Sequence, residues 1–207
     1  MNSVIDALLL PRSFYKTMSV SKRTFFYSVC IVGVLLLCYP FMFENFTKLF
    51  IGRSLFEIIF NAGLTIILIF LLGILETIVF CLPVTDLFKF ISNKVGGGKD
   101  RHLFLKFVKI YTIGALIINP VYILLMNTVF KNIDDAQSSV IVYAYLAAVM
   151  LIQFWVYGIL CRGLCILLRF KGIQKWLVFT VICIWAQVWG YVYQHIFQNF
   201  IIKCFIM

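Results

Sequence analysis

Residues Lys89 to Pro120, KFISNKVGGGKDRHLFLKFVKIYTIGALIINP, hold two environments in one segment. Basic residues surround three consecutive glycines, and an apolar run containing Asn119 and Pro120 follows. The basic half belongs in water or among lipid headgroups, and the apolar half belongs in hydrocarbon. Once the side of that loop is fixed, the direction of every neighbouring apolar run is fixed with it.

The composition agrees. The chain has 207 residues, 63% of them hydrophobic and only 13% charged, with a mean hydropathy of +1.04. A soluble domain carries about 25% charged residues, so there is too little polar surface here to wrap a water-facing globule. The net charge of +10 has two readings, nucleic acid or a membrane with anionic lipid. The basic residues sit in short loops between apolar runs, without a basic face interleaved with aromatics, so nucleic acid is set aside and anionic headgroups are the expected partner. The seven cysteines include Cys30, Cys38, Cys81 and Cys183 inside apolar runs, and none has zinc-type spacing. They read as buried reduced thiols.

Residues 1–23 do not read as a signal peptide, because Asp6 precedes the short apolar patch and Pro11 interrupts it. Two short helices around Pro11, Ser3–Leu10 and Arg12–Val20, would turn Ile5, Leu8, Leu9, Phe14 and Met18 to lipid. Arg12, Lys16, Lys22 and Arg23 would then reach headgroups, as in an interfacial helix. The alternative is a tail that only supplies charge.

Five apolar runs follow in residues 24–207, at about Thr24–Phe43, Leu55–Leu82, Leu103–Phe130, Val140–Leu168 and Trp176–Ile202. Each is long enough for a hydrocarbon core that needs about 20 helical residues. One set of loops and loop-proximal ends holds Arg12, Lys16, Lys22, Arg23, Lys89, Lys94, Lys99, Arg101, Lys106, Lys109, Arg162, Arg169, Lys171 and Lys175. The other holds Lys48, Arg53, Lys131 and Lys203 with Glu44, Asp134 and Asp135. A split of 14 to 4 among the 18 Lys and Arg places the N-terminus in the cytoplasm and, with five crossings, the C-terminus outside. The expected fold is an all-α integral membrane bundle of five spans with an interfacial N-terminal helix.

Gly96-Gly97-Gly98-Lys99 is not a phosphate loop. The spacing GxxxxGK[ST] is missing and Asp100 follows Lys99. The glycines let a short loop turn between spans two and three.

The order of parts resembles the Yip1 domain family of small five-span membrane proteins. The matching features are LPRSFYKTM near the N-terminus, the Gly- and Lys-rich NKVGGGKDRHLFLKF, and a third span with a proline near its middle, YTIGALIINPVYIL. The resemblance covers most of the chain in layout and about 10–18 and 94–124 in motif residues. It implies a polytopic, non-enzymatic protein tied to trafficking or membrane organisation, with no catalytic residues to carry over. The chain lacks the long cytoplasmic N-terminal region of the family's eukaryotic members, which argues against their Rab association. A bacterial cytoplasmic membrane is favoured, with an ER- or Golgi-type internal membrane as the alternative.

Polar groups within apolar spans need a partner or a purpose. Glu76 in span two and Arg162 in span four are a candidate ion pair, a pin between helices or, alternatively, part of an ion path. Asn119, Gln153 and Gln187 fall near the midplane and are candidates for one layer of interhelical hydrogen bonds. Pro120 removes a backbone donor beside them. His102 and His195 lie towards opposite faces and do not suggest a shared metal or haem, so no cofactor is expected. Ala144 with Ala148 and Ala186 with Gly190 are candidate contact seams, within the bundle or in a homo-oligomer. Cys161 and Cys165 are candidate palmitoylation sites or buried thiols. Lys94, Lys99, Arg101 and Lys106 form the expected cytoplasmic surface for lipid or for a protein partner whose identity is open. The leading functional expectation is a partner-binding scaffold; the runner-up is a small transporter or channel subunit using the intramembrane polar residues.

Overall fold

A computed structural model of the chain describes residues 6, 8–38, 50–98, 100–129 and 139–196. The described residues form helices: α1 (Arg12–Thr17), α2 (Lys22–Leu37), α3 (Leu55–Lys94), α4 (Leu103–Thr128), α5 (Ser139–Leu167) and α6 (Ile173–Ile196). Helices α3 to α6 are each long and apolar enough to cross a membrane, the architecture of an α-helical integral membrane protein. Helix α2 has 16 residues, about 24 Å, and residues 39–43 of the run that begins it lie outside the described part. So do Lys99, and Lys48, Lys131, Lys203, Glu44, Asp134 and Asp135 of the far-side loops.

Helix α3 departs from expectation. Its apolar run was expected to end before Pro83, yet the helix continues through that proline to Lys94, 40 residues in all and about 60 Å long. Proline removes the N–H that would reach the Val79 carbonyl four residues back, and side chains bond to carbonyls on either side of that break. Trp185 Nε1 donates to the Phe80 carbonyl at 3.2 Å, and Thr85 Oγ1 donates to the Leu82 carbonyl at 3.0 Å. At the other end Ser54 and Glu57 cap the helix reciprocally, Ser54 N–H donating to Glu57 Oε2 at 2.9 Å.

The four long helices close a ring, with α3 against α4, α4 against α5, α5 against α6 and α6 against α3. Helix α2 lies outside it against α3 and α4, and α1 lies against α5. The α2–α3 crossing is close because of two glycines. A Cβ on Gly33 would fall on the carbonyl oxygen of Ile69, and one on Gly73 would fall on that of Val29. Val29 precedes Gly33 by four residues and Ile69 precedes Gly73 by four, so the crossing is reciprocal. Small residues allow such backbone approach in lipid, where apolar burial alone does not drive helices together.

The packed core lies towards one end of the ring. Phe88, Phe107, Ile110, Ile159, Leu160, Leu164, Val178 and Ile182 are wholly buried there. At the opposite end the helices turn apolar side chains outward: Phe56 is 81% exposed, Val140 73% and Tyr143 70%. We call these the basic end and the far end.

Candidate functional site

The N-terminal segment docks at the basic end. Tyr15 on α1 is wholly buried, and its hydroxyl donates to the Leu9 carbonyl at 2.7 Å with the Ile159 carbonyl at 3.3 Å. Burial pushes the pKa of this phenol up, against a smaller opposing pull from Arg162, so Tyr15 stays a donor. Trp155 Nε1 on α5 donates to the Leu8 carbonyl at 2.6 Å, and Asp6 pairs with Arg162. Glycines on α5 make the room. A Cβ on Gly158 would stand 3.0 Å from Leu9 Cδ2, and one on Gly163 would stand 3.1 Å from Tyr15 Cε1. Met18, expected on the lipid side, is buried against protein. The segment is a strap on α5 because its aromatic ring and its backbone carbonyls find donors and space there.

The glycine loop is likewise built in. Gly96 takes a left-handed conformation, φ +66°, after the end of α3. Gly97 N–H then donates to the Ser92 carbonyl and Gly98 N–H to the Leu168 carbonyl, both at 2.8 Å. Ser92 Oγ donates to the Gly98 carbonyl at 2.9 Å. The loop therefore caps the C-terminal end of α5. Asp100 receives His102 N–H at 2.9 Å and Lys106 Nζ at 2.7 Å, and Lys109 Nζ donates to the Ser19 carbonyl at 2.9 Å.

These pieces enclose a cavity of about 1240 Å³. Its cations are Arg12 and Lys16 of α1, Lys106 of α4, Arg162 of α5, Arg169 and Lys171 of the α5–α6 turn, and Lys175 of α6. Asp100 is its carboxylate, and Leu9, Ile166, Leu167, Phe170, Trp176 and Phe179 supply apolar wall. Lys106 is answered by Asp100 and Arg162 by Asp6. The other five cations make no ion pair with a described residue. Cys161 and Cys165 also line the wall, with their sulfurs 3.9 Å apart.

A second polar cluster lies inside the ring. Glu76 on α3 is buried, and Tyr111 of α4 donates to its Oε1 at 2.5 Å while Trp189 Nε1 of α6 donates to its Oε2 at 2.6 Å. Phe80 stacks on Tyr111 with ring centroids 4.9 Å apart. One carboxylate, one oxygen per donor, ties three helices together.

The expected pairing of Glu76 with Arg162 is therefore corrected. Helices α3 and α5 sit across the ring from each other, so Glu76 turns to α4 and α6 while Arg162 turns to the N-terminal strap. Of the expected amide layer, Gln187 Nε2 donates to Gln153 Oε1 at 3.2 Å across the α5–α6 seam. Asn119 is half-buried on α4, one residue before Pro120. Lys94 lies over the Phe90 ring at 4.5 Å, Arg101 is exposed, and Lys106 is spent on Asp100; Lys99 lies outside the described residues. The seam expected at Ala186 and Gly190 is open at Gly190, where a Cβ would meet nothing within 4 Å. His102 stands at the start of α4 and His195 near the far end of α6. Among the described residues no group of three His, Cys, Asp or Glu gathers to hold a metal.

Tyr111 and Trp189 were not singled out in the sequence, although each is a donor-bearing aromatic in an apolar run that also needed to satisfy Glu76. Comparison of the chain with protein-family models, with curated proteins and with solved structures gave no match.

Proposed function

We propose that this is a non-catalytic, five-span membrane protein with its basic end in the cytoplasm, acting as a scaffold through that face. The Yip1-like layout suggests the same role, in trafficking or membrane organisation, and a bacterial cytoplasmic membrane is the favoured location over an ER- or Golgi-type one. The observation that carries the reading is where the ordered surface lies. The N-terminal strap is bonded to α5, and the glycine loop to the turn that follows α5, at the end that carries most of the Lys and Arg. Rigid, positively charged surface beside a membrane suits docking of an acidic partner or of anionic lipid. In the bundle interior, by contrast, Glu76 is already held by Tyr111 and Trp189, which suits a pin between helices.

The test is crosslinking in native membranes from a photoreactive residue at the exposed position 102, with bound proteins identified by mass spectrometry. One recurrent partner that disappears in Lys94→Gln/Arg101→Gln supports the scaffold. An ion or solute flux in proteoliposomes that is abolished by Glu76→Gln in a folded protein would overturn it in favour of transport. Reporter fusions in the segments between helices test the five-span, N-in orientation.

A further inference from the structure

We propose that the cavity at the basic end binds the phosphate-bearing headgroup of an anionic phospholipid. The proposal rests on the membrane reading above but not on the scaffold role.

Charge is the first argument. Arg12, Lys16, Arg169, Lys171 and Lys175 converge from α1, the α5–α6 turn and α6 on one concave space, and none is ion-paired with a described residue. Like charges gathered in a concavity repel one another and concentrate counter-ions, so the site is poised for an anion. Guanidinium and ammonium groups together suit phosphate, the first by two parallel N–H···O bonds and the second as a point charge.

Backbone conformation is the second. Helix α5 ends with Phe170 N–H donating to the Cys165 carbonyl at 2.9 Å, the bond that closes a helix around a left-handed residue. Glycine is the usual occupant of that position, yet here it is Arg169, at φ +57°. A disfavoured backbone conformation is kept at the residue that sets a guanidinium on the cavity wall.

The apolar wall identifies the anion. Leu9, Ile166, Leu167, Phe170 and Phe179 offer nothing to a free phosphate but would take the glycerol and upper acyl chain of a lipid. Trp176, 73% exposed in the first turn of a membrane-crossing helix, stands at the cavity edge, as tryptophans do at the headgroup level.

The test uses the full chain in phosphatidylcholine nanodiscs with and without 5% phosphatidic acid. Retained lipid is read by native mass spectrometry, and affinity by titration with a fluorescent short-chain phosphatidic acid. The expected result is saturable binding of one phosphatidic acid in preference to phosphatidylcholine. Each neutralised cation should weaken it roughly fivefold, following the usual worth of a basic residue near an anionic headgroup. Lys171→Gln/Lys175→Gln should thus lower affinity about 25-fold, whereas Lys94→Gln/Arg101→Gln, outside the cavity, should leave it unchanged. Arg169→Gly should weaken binding about fivefold while raising the melting temperature, a combination that misfolding cannot produce. Equal binding of both lipids, or equal losses in the two double variants, would overturn the site. Competition by inorganic phosphate at the concentrations at which the lipid binds would overturn the lipid assignment in favour of a free phosphate. The crosslinked partner is read with the outer pair of variants and lipid with the cavity pair, so failure of one proposal is distinguishable from failure of the other.

Discussion

The basic end and the far end of the bundle both carry many apolar side chains and are differently built. At the basic end side chains meet side chains, and Tyr15, Phe107 and Leu164 have no exposed surface. At the far end Leu55, Phe56, Val140 and Tyr143 are each at least 70% exposed. Hydrophobicity does not separate the two, because lipid tails solvate leucine as well as another leucine does. What separates them is glycine used for close approach and hydrogen bonds that cross between segments. Gly97, Gly98, Gly158 and Gly163, at the basic end, have their Cβ space occupied by other segments, while Gly96 and Gly172 there have open space and serve by a left-handed φ; Gly63 and Gly190, towards the far end, face open space without that role. In this chain apolar runs give the number of helices, and small residues and polar groups give their contacts.

The comparison is broken most directly at Tyr15. Tyr15→Ala removes a buried ring and the tie to Leu9, and should destabilise by about 3–5 kcal/mol. Tyr143→Ala at the far end, exposed, should stay within about 0.5 kcal/mol. Thermal unfolding in detergent micelles measures both, and protease sensitivity near Pro11 should rise only in the first. Equal effects would mean that the strap is not a structural part of the bundle.

Glycine substitutions come next. Gly73→Val sets a side chain against the Val29 carbonyl and should lose about 1–3 kcal/mol or more by overpacking. Gly63→Val has room and should lose little by the same measurement. Glu76→Gln tests the interior cluster. It replaces one of the two carboxylate acceptors by a donor facing the Tyr111 hydroxyl or the Trp189 N–H, and should lose about 1–3 kcal/mol. A change in the near-ultraviolet spectrum of Trp189 should accompany it. Trp155→Phe, which removes the bond to the Leu8 carbonyl and one ring of a half-buried indole, is the mildest of the disruptive changes, at about 1 kcal/mol or somewhat more. Crosslinking between positions 8 and 155 would report whether the strap then lifts.

Much of the layout was legible in advance. The apolar runs from Leu103, Val140 and Trp176 are helical over their described residues as α4, α5 and α6, since about 20 apolar residues in lipid have little choice but to form a helix. Pro83 misled, because a proline inside a long helix is tolerated when neighbouring helices hold that helix around it, as Trp185 does at the Phe80 carbonyl, and that contact is tertiary. Gln153 and Gln187 were recognised and do meet. Glu76 and Arg162 were recognised as groups in need of partners, and given the wrong ones.

That last error marks the boundary. By itself the sequence determined that the chain is helical, that it belongs in a bilayer, where its basic residues collect, and which buried polar groups could not stay alone. These follow from local hydropathy and from the cost of an unsatisfied group in hydrocarbon, and neither depends on which helix stands beside which. Only the tertiary structure decided that α3 and α5 lie across the ring, that Glu76 therefore answers to Tyr111 and Trp189, and that the N-terminal segment docks on α5. It alone brought cations from three separate stretches around one cavity. Helix order and rotation are fixed by glycine-sized gaps and donor-to-acceptor matches between residues up to 156 positions apart, as with Asp6 and Arg162, and no local pattern carries that information.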